Sequence, residues 1–258
     1  MDIHQTAIIH PKAQIQDGVK IGPYCIVGEH VTIRSGTILE AHVFLDGWTD
    51  IGENCHIYPF ASLGTIPQDL KFKGEISELK VGDGTVIRES VTMNRGTQGG
   101  EGITSVGANC FLMAYSHVAH DCRLGNQVIL ANGVAMGGHV TIDDHAIVGG
   151  LSAIHQFTRV GSYAFIGGAS AVSKDVPPYG MAVGNRARLY GVNSIGLHRK
   201  GFPPETISKI KKAYRHLLSS DLNVSQAITG IEADHELLVP EIEHLVAFIR
   251  NSSRGICI

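Results

Sequence analysis

The chain is short of what most folds use to fill an interior. Only 6% of its 258 residues are aromatic, with a single Trp, although 43% are hydrophobic. An interior without large rings must be narrow and regular, because rings supply most of the volume in bulky, irregular cores. Five Cys are present and none form a CxxC pair, which excludes a disulfide framework and a zinc ribbon. Cys25, Cys55, Cys110 and Cys122 are expected as small buried residues. A formal net charge of -3 excludes a global attraction to nucleic acid or to an anionic membrane. No apolar run approaches the roughly 20 residues of a membrane-spanning helix. The opening MDIHQTAIIHP lacks the basic stretch and apolar core of a secretory leader. These absences lead to the expectation of a soluble, cytoplasmic protein with no nucleic-acid partner and no stable membrane insertion.

What the chain does have is repetition. Ile9, Ile15, Ile21, Val27, Ile33, Leu39, Leu45, Ile51, Ile57 and Leu63 are spaced six apart without a miss. The phase returns at Val81, Ile87 and Met93, and again from Val106 through Val118, Met136, Ile154 and Ile166 to Val172. A helix needs a period near 3.6 and an ordinary strand a period of 2, so neither explains strict sixes. One six-residue unit reads as a short strand plus a turn, and three units make an 18-residue triangular coil. Stacked coils sit about 4.8 Å apart. Gly follows the repeat aliphatic at Gly22, Gly28, Gly52, Gly107, Gly149 and Gly167, among others. The expectation is that these glycines serve turns of unusual φ. The fold class is therefore an all-β solenoid, a parallel β-helix of hexapeptide repeats, plus α structure at the C-terminus.

Two breaks interrupt the repeat. Between Leu63 and Val81 the count of 18 is kept, but the intervening phase positions are Asp69 and Glu75. Unpaired charge cannot fill an apolar axis, so residues 68–74 should leave the coil as a loop. Between Met93 and Val106 there are seven extra residues in a Gly-rich stretch. After Val172 the repeat stops, and Asp175-Val176-Pro177-Pro178-Tyr179 reads as an exit turn. The expected organisation is a β-helix over residues 1–192, with excursions at about 65–80 and 94–105, and a small helical domain over 193–258 that caps the stack. Helices are expected from about Pro203, with Ile207, Ile210, Tyr214, Leu217 and Leu218 on one buried face, over about 224–231, and from Pro240.

The 18-residue coil also works as a ruler. It places His120, Gly138 and Gln156 in one column, Ala119, Gly137 and His155 in the next, and Asp121 under His139. With His117, four histidines converge within about two coil heights, roughly 10 Å. The pattern suits a general base oriented by Asp121, or zinc held by three histidines. In the tail, Arg199, Lys200, Lys209, Lys211, Lys212 and Arg215 face only Glu205 between Arg199 and His216. That stretch is either a solvated helix face or a docking patch for an acidic or phosphorylated partner.

His117-Val118-Ala119-His120-Asp121-Cys122, Gln68-Asp69-Leu70-Lys71, Asn94-Arg95-Gly96-Thr97, Ala153-Ile154-His155-Gln156-Phe157 and the Asp175-Val176-Pro177-Pro178-Tyr179 turn together resemble the UDP-N-acetylglucosamine O-acyltransferases of lipid A biosynthesis. The resemblance runs over essentially the whole chain. It implies a left-handed helix, a homotrimer, and transfer of a 3-hydroxyacyl group from acyl carrier protein to the sugar 3-hydroxyl of UDP-N-acetylglucosamine. No metal and no cofactor are implied beyond the carrier's phosphopantetheine. By residue, His120 matches the general base, Asp121 its neighbouring carboxylate, and the Gly138 N–H the oxyanion donor. Asp69, Lys71, His117, His139 and Gln156 match nucleotide-sugar contacts. His155, Asn193 and Arg199 match substrate or pantetheine contacts, the basic tail the carrier-docking surface, and Gly168 the position that limits acyl length. Ile195 stands where the family often has Glu, and Lys200 where Arg is frequent.

Overall fold

The structure is a computed structural model that describes residues 2–219 and 221–258. Short parallel strands, most of two residues, stack into three sheets of eleven, nine and eight strands. Consecutive strands go to successive sheets, so each face of a triangular prism is one sheet. The repeat aliphatics fill the axis: Ile33, Leu45, Ile51, Ile57, Leu63, Ile87, Met93 and Leu112 have no exposed surface. The small residue two places earlier is also inward. Several Cys and Thr at this position donate to a carbonyl of the next coil, as from Cys122 Sγ to Gly137 O (3.1 Å) and from Thr37 Oγ1 to Gly52 O (2.8 Å). Burial pushes the Cys122 thiol up to about 12, which keeps it a protonated donor.

The role of the post-aliphatic glycines differs from the turn role read from the sequence. Gly22, Gly28, Gly52, Gly107, Gly149 and Gly167 do not adopt positive φ. A Cβ on Gly107 would lie 2.4 Å from Gly125 O, and one on Gly149 2.5 Å from Gly168 N. These glycines let coil backbones touch. The left-handed corner comes three residues after the aliphatic, at Asp121, Gln127, Gly133, His139, His145, Leu151, Phe157, Tyr163 and Ala169, all with φ between 54° and 68°. Few of these are Gly, although each L-residue there costs about 1–2 kcal/mol. Stacking of one corner side chain on the next offsets part of that, with ring centroids 4.5 Å apart for both His139–Phe157 and His145–Tyr163.

The first excursion falls within the expected stretch of about 65–80 and is longer than the 68–74 loop alone. Val81 pairs with Ile51, an offset of 30, so residues 66–77 are a twelve-residue insertion of two repeat lengths. The phase survives because twelve is a multiple of six. The second excursion, residues 95–102, makes Thr92 pair with His117 at an offset of 25. Arg95 ties the two together. It is buried, and its guanidinium lies over the Trp48 and Phe72 rings at 5.6 and 5.3 Å.

The stack runs past the last repeat aliphatic, Val172, to a strand that ends at Val192. Gly180–Val183 pairs in parallel with Phe165–Ile166, after the two prolines, and then antiparallel with Arg188–Val192. The prolines sit in the turn, where no ladder N–H is needed. Among the described residues four α-helices follow, α1 (Ser194–Arg199), α2 (Pro204–Leu217), α3 (Val224–Ala233) and α4 (Pro240–Arg250), with a short 3-10 turn at His235–Leu237. The six-residue α1 was not expected, since it is too short to show a period. The α2 face buries Ile207, Ile210, Tyr214 and Leu217, but Leu218 follows the helix and is 40% exposed. Tyr214 Oη donates to Pro178 O at 2.6 Å, which locks α2 onto the end of the β-helix. No helix among the described residues is long and apolar enough to cross a membrane.

Candidate active site

His120 and Asp121 form a corner of the prism, just after the strand His117–Val118. His120 Nδ1 lies 2.8 Å from Asp121 Oδ2. The Asp121 side chain is 3% exposed and fully engaged: Oδ1 accepts from Thr97 N at 3.0 Å and Oδ2 from Thr97 Oγ1 at 2.7 Å. With both oxygens already accepting from Thr97, the carboxylate meets His120 as an acceptor, so the shared proton belongs on His120 Nδ1. His120 Nε2 is then left with its lone pair.

Nε2 faces Gly138. A Cβ on Gly138 would lie 2.6 Å from His120 Cε1 and 2.7 Å from Nε2, so only glycine lets the ring lie against the backbone. Among the described residues no protein acceptor is recorded for the Gly138 N–H, whereas its carbonyl accepts from Phe157 N at 3.1 Å. A free, fixed N–H beside a basic nitrogen is the arrangement that stabilises a developing oxyanion. Gly138→Ala should lower kcat by about 10²-fold, the cost of displacing a catalytic group by about 1 Å. Its melting temperature should stay near that of the parent. A variant with parental kcat would show that the ring tolerates the displacement.

The flanking groups divide into near and far. His139 meets the His120 ring edge-on at 5.1 Å between centroids, and its Nε2 lies 3.8 Å from Asp121 Oδ2. His117 Nδ1 is 2.8 Å from Thr92 Oγ1, and burial, with a smaller push from His120, holds its imidazole below the ordinary value. The four-histidine convergence is therefore two histidines and an aspartate in contact, with His117 beside them. His155 is exposed further along the stack, next to the exposed Gln156. His120, Asp121 and His139 present ligand atoms within 4.8 Å of one another, close enough to hold a metal ion. A metal there would have to displace the hydrogen bonds that Asp121 already makes.

Thr97 was not assigned a role from the sequence, yet it binds both Asp121 oxygens. The offset of 25 at Thr92↔His117 ends with that strand, and Thr97 lies inside the excursion, where spacing along the sequence gives no register with Asp121. Thr97 also lines a cavity of about 450 Å³ between the two excursions, with Asp69, Lys71, Lys73 and Gln98. Asp69 and Lys71 are thereby brought to the His120 side. Other expected site residues lie elsewhere in the same chain. Asn193 caps α1, with Oδ1 accepting from Gly196 N (3.1 Å) and Nδ2 donating to Tyr163 O (3.0 Å). Lys200 donates to Gln127, on the next prism edge, and the exposed Arg199 precedes it. Gly168 is exposed beside Ala169, on the third edge. In the tail, Lys212 is paired with Asp234 and Glu236, both at 2.7 Å, which leaves Arg199, Lys200, Lys209, Lys211 and Arg215 as the basic surface.

Residues 175–257 match the family model described as UDP-N-acetylglucosamine O-acyltransferase domain 2, and residues 2–35 and 103–138 match the bacterial transferase hexapeptide repeat. A protein of Thermodesulfovibrio yellowstonii, named acyl-[acyl-carrier-protein]–UDP-N-acetylglucosamine O-acyltransferase, is 52% identical over 256 residues, 99% of both chains. The chain belongs to this acyltransferase family. Two solved relatives carry the same fold. The LpxA structure from Acinetobacter baumannii is 46% identical with a TM-score of 0.95, covering 99% of each chain. The UDP-N-acetylglucosamine acyltransferase of Bacteroides fragilis is 45% identical with a TM-score of 0.95, covering 98% of this chain and 99% of that one. The β-helix of this chain is left-handed.

Proposed function

We propose that this protein transfers a 3-hydroxyacyl group from acyl carrier protein to the sugar 3-hydroxyl of UDP-N-acetylglucosamine, with His120 as general base. The observation that carries the reading is the Asp121–His120–Gly138 constellation: an oriented imidazole with a free Nε2 against an unpaired N–H. His120 Nε2 takes the hydroxyl proton as the sugar oxygen attacks the thioester carbonyl. The Gly138 N–H receives the carbonyl oxygen as it becomes an oxyanion. Collapse of that oxyanion breaks the C–S bond, and the His120 imidazolium returns the proton to the departing pantetheine thiolate, leaving the ester and the free thiol. Asp69, Lys71, His117, His139 and Gln156 hold the nucleotide sugar, and His155, Asn193 and Arg199 hold the sugar nucleotide or the pantetheine. The acidic carrier protein docks on Arg199, Lys200, Lys209, Lys211 and Arg215. No metal and no cofactor other than the carrier's phosphopantetheine takes part.

The acting unit is a homotrimer in the cytoplasm. Support comes from geometry: His120 and His139, Gln127 with Lys200, and Gly168 occupy three different edges of one prism. One chain cannot bring all three edges to a single substrate, whereas neighbouring prisms packed side by side can. Gly168 leaves room in the acyl channel and favours longer chains.

The test is one assay. Purified protein is incubated with UDP-N-acetylglucosamine and hydroxyacyl carrier proteins of graded chain length, and the products are read by mass. An acylated nucleotide sugar is expected, with the fastest turnover on the longer donors. Absence of product with every donor would overturn the assignment. A second reading, a metal-dependent reaction at His120, Asp121 and His139, is favoured by the closeness of those three groups. Dialysis against a chelator separates the two: the acyl-transfer rate should be unchanged.

A further inference from the structure

The C-terminal segment is threaded back onto the end of the β-helix. Asp175 N donates to Gly255 O and Cys257 N to Asp175 O, both at 3.0 Å, and Ser252 Oγ donates to Asp175 Oδ2 at 2.7 Å. This sewing fixes Arg254 above the coil. Its Nε and Nη2 donate to Ser173 O at 3.3 and 3.2 Å, and Nη2 reaches His155 Nδ1 at 3.2 Å. Ser173 is the next step of the column Ala119, Gly137, His155, so Arg254 crowns the column that carries His155, 99 residues away in the chain.

His155 Nδ1 has two neighbours, Arg254 Nη2 and Gln156 O at 3.0 Å. It can donate to the carbonyl or accept from the guanidinium, not both. Arg is always charged and has only donors, so a proton on Nδ1 would face another proton and a positive charge. The accepting form wins, and the ring proton moves to Nε2. Among the described residues His155 Nε2 has no protein acceptor, which leaves that N–H for a ligand.

We infer that Arg254 is a positioning residue: it holds His155 as the Nε2–H tautomer, so that the ring donates to a phosphate oxygen of bound substrate. The inference rests on the acyltransferase reading for its substrates, and that phosphate belongs either to the nucleotide sugar or to the pantetheine arm.

The test begins on the free protein. ¹⁵N shifts of histidine-labelled enzyme, taken where an ordinary imidazole is neutral, should show His155 as Nε2–H in the parent and in Arg254→Lys. Arg254→Ala should show Nδ1–H. Ser252→Ala loosens the same segment without touching His155 and should leave the tautomer as in the parent. In turnover, Arg254→Ala should raise KM about tenfold for one substrate with kcat nearly unchanged, the loss of a charge-assisted hydrogen bond to ground and transition state alike. Varying nucleotide sugar and acyl carrier protein separately shows which phosphate is held. An unchanged tautomer in Arg254→Ala, or an equal KM rise in Ser252→Ala, would overturn the inference. Absence of any acyl transfer by the parent would instead remove the functional reading, while the tautomer shifts would still report on Arg254.

Discussion

His120→Ala is expected to lower kcat by about 10²–10⁴-fold, the usual contribution of a positioned general base. KM for the nucleotide sugar should change little, because Lys71, Asp69 and His139 remain. Two features make the loss this large. The first is that no other base among the described residues is placed to substitute: His139 turns its Nε2 toward Asp121 at 3.8 Å, and His117 is tied to Thr92. The second is that an attacking hydroxyl has no appreciable ionisation of its own near neutral pH, so the proton must be taken as the bond forms. The fold should survive, since the His120 side chain borders the axis without filling it and is 15% exposed. Matched melting curves with a collapsed kcat are the expected pair of results. Parental turnover in this variant would transfer the base role to another group and leave the fold assignment standing.

Asp121→Asn should be nearly as damaging, lowering kcat by 10² or more, by a different route. The carboxylate has one partner on the base and two on Thr97. An amide keeps the shape but offers the imidazole a neutral partner, and if its NH₂ turns toward His120 it forces the Nε2–H tautomer. That tautomer cannot accept the hydroxyl proton, and the analogous change in serine proteases costs about 10⁴. The other consequence is structural. Thr97 N and Oγ1 lose their charged acceptor, so the second excursion loosens and the cavity beside it widens. The nucleotide-sugar KM should therefore rise here, unlike in His120→Ala. Thr97→Val offers the control: it removes one bond to Asp121 but leaves the tautomer, and should show the KM effect with most of kcat retained. Equal kinetics for Asp121→Asn and the parent would mean that the ring is oriented by Gly138 packing alone.

Much of the site was legible because a solenoid is a one-dimensional object. A strict 18-residue coil converts sequence separation into height, so His120, Gly138 and Gln156 fall in line without coordinates. The ruler failed where length changed without changing phase. The twelve-residue insertion after Thr65 leaves Val81 on the six-beat: Asp69 and Glu75 mark where the chain leaves the coil, but only the Val81↔Ile51 pairing gives the length. Thr97 carries no such signal, since it lies inside the second excursion, where the chain has left the six-residue register. The glycine reading failed because composition does not separate φ from contact. Gly107 and Gly149 are required by a neighbouring backbone, while the left-handed corners are carried by Asp, His, Gln and aromatic residues.

The sequence by itself determined the period, the axis residues, the places where the chain leaves the coil, and the column that contains His120. All of these follow from spacing along one chain, where local hydrogen-bonding and burial rules act in register. Tertiary structure decided what depends on contacts across the chain: the Thr97–Asp121 clasp, the pairing of Lys212 with Asp234 and Glu236, the α1 cap by Asn193, and the return of Arg254 to His155. Those contacts join segments whose separation is set by loops and helices of no fixed period, so no count along the sequence could have placed them.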